Sequence, residues 1–127
     1  MSTIKVDAVE PRTTSSTITI GAAASNITAL TSSSTITIDY NDNNNFSVTL
    51  AHNATFANPS NPSAGQTGSI FITQDGTGSR TASWGSNWDF IGGSAPTLTT
   101  TASAIDRIDY VIVASSNIQA VATLNYS

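Results

Sequence analysis

One phrase occurs twice in this chain and constrains its fold more than any other feature. Positions 14–20 read TSSTITI and positions 31–38 read TSSSTITI. In both copies threonine alternates with isoleucine, so the two residue types fall on opposite faces of an extended strand. Both are β-branched and favour strands over helices. The sequence therefore predicts the same short β-strand twice, with only GAAASNITAL between the two copies.

The composition also predicts an all-β protein. A length of 127 residues allows one domain with one modest core. Only 9% of the residues are charged, well below the roughly 25% of an average soluble domain. The chain contains 20 Thr and 19 Ser, while the strong helix formers Leu, Glu, Lys and Arg are scarce.

Alternation and turn chemistry predict about eight strands in a single sandwich or jelly-roll-like domain. NDNNN at 41–45 is a strong turn signal, 57–68 reads as a surface loop, and DGTG at 75–78 indicates a hairpin. ASAIDRIDY could instead begin as a helical turn. Alternation in FSVTLAH predicts that Phe46, Val48 and Leu50 face inward. In two other segments alternate apolar residues share one face of a strand: Ile36, Ile38 and Tyr40; Ile108, Tyr110 and Ile112.

The first copy of the repeated phrase belongs to a predicted N-terminal assembly arm, residues 1–20, ahead of a β-sandwich domain at 21–127. A flat strand with little charge invites aggregation if its edge stays unpaired. We therefore expect the arm to pair with a neighbouring subunit and the protein to form a homotrimer. The residues expected to make these contacts are the apolar ones of the arm: Ile4, Val6, Val9, Ile18 and Ile20.

Charge and residue usage exclude several classes of function. The net charge is −4 with only four basic residues, so we expect neither nucleic acid nor membrane as a partner. No cysteine is present for a disulfide or a thiolate zinc site. The N-terminus has no apolar segment of a secretory signal.

The polar residues do not form a recognisable catalytic or metal-binding motif. The single histidine, His52, has no nucleophile motif to serve. DYNDNNN at 39–45 lacks the glycine and the closing glutamate of an EF-hand loop, so a turn is the better interpretation. Asp106 and Asp109 should face opposite sides of a strand, which suits a salt bridge or a loop anchor better than acid–base catalysis. We expect no enzyme activity, no cofactor and no metal.

One aromatic cluster carries a functional hypothesis. Trp84, Trp88 and Phe90 lie within seven residues of an irregular segment. They could contact a glycan or a protein neighbour through an exposed aromatic platform. They could equally fold over the end of the sandwich, since a buried Trp contributes a large apolar area to a core with few large side chains.

Two segments resemble virion proteins of tailed phages, particularly marine and cyanobacterial phages. These are STIKVDAVEPRTTSSTITIG at the start of the chain and the stretch from AGQTGSIFITQ to IDRIDYVIV at 64–113. The resemblance implies a non-enzymatic structural protein of the virion, made in the host cytoplasm.

The compact size favours a capsid decoration or cement protein, located on the capsid surface and bound to the major capsid protein. The alternative within the resemblance is a tail-fibre or receptor-binding component, whose aromatic loop would bind cell-surface glycan. A carbohydrate-binding module of a cellular protein is a third interpretation.

Overall fold

The computed structural model describes residues 24–127, which form nine β-strands and one short 3-10 turn without an α-helix. The all-β prediction is confirmed, and the helical turn considered near Ala102 is absent because this segment leads directly into a strand. The strands are β1 (Ile27–Ala29), β2 (Thr35–Ile36), β3 (Asn45–Leu50), β4 (Ala54–Phe56), β5 (Thr67–Gln74), β6 (Ala82–Trp84), β7 (Trp88–Phe90), β8 (Ile105–Ala114) and β9 (Asn117–Tyr126), with the 3-10 turn at Ile91–Gly93.

The strands form two sheets, and the chain alternates between them. The larger sheet has the order β1-β3-β5-β8-β9-β7, and the smaller has the order β2-β4-β6. Each of the strands β1 to β4 pairs in parallel with the strand two places further along the chain. This part of the protein is therefore a short parallel β-solenoid, which we call the coil. The antiparallel pair β8–β9 continues the larger sheet, with β8 beside β5 and β7 parallel to β9.

The DGTG segment is not a hairpin, and the sequence prediction was wrong at this point. The turn carries the chain from β5 in one sheet to β6 in the other. Its side chains explain this course, because the Asp75 carboxylate accepts from Thr77 N at 3.0 Å and pairs with Arg80 Nη2 at 2.7 Å. Gln74 also donates to the backbone carbonyl of Arg80 at 2.9 Å. The Arg80 guanidinium holds the pKa of Asp75 below its usual value.

A single hydrophobic core lies between the two sheets. Phe46, Val48 and Leu50 are buried, so the prediction that they face inward is confirmed. The residues predicted to share one face in the other two alternating segments are all buried as well. Phe46, Leu50 and Ile70 of the larger sheet and Phe56 of the smaller one have no exposed surface. Burying such side chains stabilises the fold by about 1.5–3 kcal/mol each.

Equivalent residues of successive turns stack in columns across the smaller sheet. The outward column consists of Thr35, Thr55 and Ser83, which are register partners in β2, β4 and β6. The hydroxyl groups of Thr55 and Ser83 are hydrogen-bonded at 2.8 Å. The inward column consists of Ile36, Phe56 and Trp84. Each turn thus repeats a hydroxyl on one face and a large apolar group on the other.

The two copies of the repeated phrase fall in different parts of the chain. The second copy supplies β2, as expected for a strand of the domain proper. The first copy and the arm residues Ile4, Val6, Val9, Ile18 and Ile20 lie outside the described residues. The assembly-arm hypothesis and the domain boundary at residue 20 therefore stay predictions.

A close backbone approach at β5 leads to a stability prediction. A Cβ atom on Gly68 would lie 1.9 Å from the carbonyl oxygen of Asn44, which also accepts the hydroxyl of Tyr110. A Cβ on Gly76, in the turn after β5, would meet nothing within 4 Å. We expect Gly68→Ala to lower the free energy of unfolding by about 1–3 kcal/mol. Gly76→Ala should change it by less than about 0.5 kcal/mol. Urea denaturation measures both, and equal effects would contradict the packing at Gly68.

Candidate functional site

The three residues between β6 and β7 bring the predicted aromatic cluster together. They carry the chain from the smaller sheet back to the larger one, and Gly85 N donates to the carbonyl of Phe56 at 2.8 Å. Only glycine fits at position 85, since a Cβ there would lie 2.4 Å from Oδ1 of Asn58. The tight crossing places the end of β6 next to the start of β7. Trp84, Trp88 and Phe90 therefore meet, as their spacing in the sequence indicated.

Trp84 is the centre of the cluster. Its ring stacks on Phe56 with centroids 4.5 Å apart and an interplanar angle of 14°. Trp88 and Phe90 contact it in T-shaped geometry at 5.1 and 5.0 Å. Aromatic pairs in these arrangements contribute about 0.5–1.5 kcal/mol each beyond burial. Sequence reasoning missed Phe56, because only the parallel register of β4 and β6 places it beside Trp84.

The two indole N–H groups differ in their hydrogen bonding. Trp88 is buried, and its Nε1 donates to the carbonyl oxygen of Ala57 at 3.1 Å. The Nε1 atom of Trp84 is also inaccessible, yet it has no acceptor among residues 24–127. A buried donor without an acceptor costs about 1–3 kcal/mol. Trp88 is thus a satisfied core residue, while half-buried Trp84 retains an unused donor.

A groove of about 460 Å³ runs beside Trp84. One wall is β6 with the residue before it, and the other is the segment that follows the 3-10 turn. The lining combines hydroxyl groups with small apolar groups and contains no charged side chain: Thr81, Ala82, Ser83, Trp84, Ala95, Pro96, Thr97 and Leu98. Such a surface suits a neutral ligand with both hydroxyl groups and apolar faces.

A second surface lies on the outward side of β8 and β9. We call it the apolar patch and define it as Ile91, Val111, Val113 and Val121. Ile91 is 81% exposed, and the three valines are 43–51% exposed. A shallow hollow of about 290 Å³ separates Ile91 from Val111 and Val121.

The charges near the apolar patch are mostly neutralised by neighbours. Asp109 pairs with Arg107 Nε at 3.0 Å and accepts from the Ser69 hydroxyl at 2.6 Å. Exposed Asp89 lies opposite Gln119 in the β7–β9 pair. The patch is therefore apolar with little net charge around it, which is typical of contact surfaces between proteins.

The carboxylates of Asp39 and Asp106 hold backbone turns or loops by hydrogen bonds. Asp39 accepts from Asn41 N and from the Asn61 side chain, both at 2.9 Å, and these bonds lower its pKa. The interpretation of 39–45 as a turn is confirmed. Asp106 is buried and accepts from Thr99 N at 2.7 Å and from Asn125 N at 2.8 Å. It faces the side of β8 opposite to Asp109, as the odd spacing predicted.

His52 is exposed at the end of β3. Its Nδ1 lies 3.2 Å from the hydroxyl of Ser32, and no carboxylate bonds to it among the described residues. Within residues 24–127, no three His, Asp or Glu side chains come close enough to hold a metal ion. In the same range, no helix is long and apolar enough to cross a membrane.

The packing around Trp84 predicts a large stability effect. We expect Trp84→Ala to lower the free energy of unfolding by about 3–5 kcal/mol, because the change empties the space among three aromatic rings. Ile27→Ala is the control, because Ile27 is 55% exposed and lies outside the aromatic cluster, and its effect should stay below about 1 kcal/mol. Urea denaturation followed by far-UV circular dichroism measures both. An unchanged Trp84→Ala transition would show that the cluster does not support the fold.

Comparison with known proteins identifies the family. The model of the family described as "Putative phage tail fibre C-terminal domain" matches residues 9–114, which is most of the chain. No curated protein and no solved structure matches. The match favours the tail over the capsid surface that we expected from the size of the chain, and no finding supports a capsid decoration role. The chain belongs to this family of phage tail fibre C-terminal domains and is a virion structural protein of the tail-fibre type.

Proposed function

We propose that this protein is a non-enzymatic component of a phage tail fibre that contacts the host cell and binds a neutral saccharide in the groove beside Trp84. Membership of the tail-fibre family supports the general role. The observation that carries the specific one is the uncharged groove beside Trp84, whose walls combine hydroxyl groups with apolar groups.

The chemistry of the groove matches that of a sugar ring. A saccharide presents hydroxyl groups and apolar C–H faces in alternation. The hydroxyls of Thr81 and Thr97 would bond to the hydroxyl groups of the sugar, while Trp84 forms part of the groove wall. Pro96 and Leu98 offer apolar contact. No charged group of the groove would lose its water on binding, so the desolvation cost stays low.

The geometry changes the role that we expected for the aromatic residues. Phe56 already stacks on the Trp84 ring, and Trp88 and Phe90 contact it as well. We therefore infer that Trp84 forms an apolar part of the groove wall and not an open stacking platform, while the groove hydroxyls make the hydrogen bonds. Trp88 acts through Trp84 by holding its position.

Blocking the groove tests this proposal. Ala95 is exposed on the groove wall, so Ala95→Trp should fill the groove and leave the core intact. We expect purified wild-type protein to bind host cells and to compete with phage adsorption, and Ala95→Trp to weaken this binding at least about tenfold, a loss of about 1.4 kcal/mol. Ala51→Trp places the same side chain at an exposed site outside the groove and should bind like wild type.

A glycan array with the same three proteins identifies the class of sugar. Equal binding by the two tryptophan variants would overturn the groove as the site. Absence of binding to both cells and glycans by the wild type would overturn the receptor role itself.

We further propose that the protein self-associates as a homotrimer through the apolar patch. Four exposed apolar side chains lie together on a sheet face whose nearby Arg107 and Asp109 are already paired. Covering such a patch removes apolar surface from water at about 25 cal/mol per Å². In a threefold arrangement the patches of three copies would meet around the symmetry axis, next to Arg107 and Asp109, whose charges are already paired.

The mass of the particle in solution tests self-association. Light scattering at micromolar concentration should give three times the chain mass. Val121→Lys places a charge in the patch and should shift the mass to that of a monomer. Thr49→Lys, on an exposed position of β3 in the same sheet, should stay trimeric. A monomeric wild type, or equal masses for the two variants, would contradict the proposal.

A further inference from the structure

The smaller sheet has a free edge at β2. On one side of this strand, Thr55 N donates to Ser34 O and Ala57 N donates to Ile36 O, each at 2.9 Å. Because backbone groups alternate in direction along a strand, the N–H of Thr35 faces the other side. No strand of residues 24–127 lies there. On this side the Thr35 carbonyl accepts from the hydroxyl of Ser33. A parallel edge without a partner strand is a template for another strand.

The columns of the sheet define which strand fits the free edge. Thr35 ends the hydroxyl column that continues through Thr55, and Ile36 ends the apolar column that continues through Phe56. A strand that extends both columns must present a hydroxyl beside Thr35 and, one residue later, an apolar group beside Ile36. The required pattern is therefore the pattern of β2 itself.

The chain contains that pattern at the right distance. Residues 17–20 read TITI, identical to residues 35–38, and lie 18 residues before them. The first parallel pair of the coil has the same spacing, since Ile27 of β1 pairs with Asn45 of β3. Eight residues lie between Ile36 and Asn45, and eight lie between Ile18 and Ile27. The family match begins at residue 9, so it includes this segment.

We propose that residues 17–20 bind the free edge of β2 within the same chain, in parallel register, with Thr17 beside Thr35 and Ile18 beside Ile36. The bound segment would form one more turn of the coil. This assignment differs from the pairing with a neighbouring subunit that the sequence suggested. The spacing favours the same chain, because the link of eight residues before β1 equals the link that already joins β2 to β3.

Engineered disulfides test the register directly, since the natural chain has no cysteine. Paired residues of neighbouring strands have Cα atoms about 5 Å apart, within the range of a disulfide. The double variant Thr17→Cys/Thr35→Cys should form an intramolecular disulfide on mild oxidation, detected by peptide mapping of the single chain. The control Thr19→Cys/Thr35→Cys is shifted by two residues, about 7 Å along the strand, and should stay reduced. Equal cross-linking in both would overturn the proposed register.

A mixing experiment identifies which chain supplies the segment. Thr17→Cys protein and Thr35→Cys protein are combined and oxidised. We expect no cross-link between the two chains. A disulfide-linked pair would overturn the same-chain assignment and identify a second copy as the occupant of the edge.

Hydrogen exchange gives an independent readout without cysteine. Ile18→Asp removes the apolar side chain that would extend the column at Ile36, and it should speed exchange of the Thr35 amide at least about tenfold. Thr49→Lys, at an exposed position of the larger sheet, should leave that amide unchanged. Circular dichroism verifies that both variants are folded. An unaltered exchange rate in Ile18→Asp would overturn the proposal.

Discussion

The column of Ile36, Phe56 and Trp84 is the interaction on which the smaller sheet and the candidate site depend. These residues come from three successive turns of the parallel coil and pack against one another on its inner face. The stack of Phe56 on Trp84 sets the position of β6, and the tight crossing at Gly85 then sets the position of β7. The groove beside Trp84 exists because this column holds one of its walls.

Polar side chains of the described region form hydrogen bonds with the backbone. Asp75, Asp106 and Asp39 each accept hydrogen bonds from main-chain N–H groups where a strand ends or a loop returns. Side-chain acceptors of this kind satisfy buried or strained backbone groups. They stabilise turns whose backbone groups have no hydrogen-bond partner in a β-sheet. A protein whose carboxylates are used as anchors is well suited to a structural role, in agreement with its tail-fibre family.

The surfaces available for contact are correspondingly neutral. The groove has hydroxyl and apolar walls, and the apolar patch has a paired Arg107 and Asp109 beside it. Recognition at either surface would therefore depend on shape, hydrogen bonds and apolar burial, with little dependence on salt. This is consistent with the low charge content of the whole chain.

The sequence by itself determined the local features of this protein. Alternation placed Ile36, Phe46 and Ile108 in the core, and Asn and Asp residues marked the turn at 39–45, because face and turn preference depend on neighbouring residues alone. It also grouped Trp84, Trp88 and Phe90, which are close along the chain.

Only the tertiary structure decided which strands pair. Partners in the coil are separated by 18 residues at Ile27 and Asn45 but by 28 at Ala54 and Ala82, so no constant period reveals the register. For that reason DGTG resembled a hairpin although it joins two sheets, and the contact of Phe56 with Trp84 was missed. Pairing in parallel is set by packing between distant segments, and local residue preferences do not encode it.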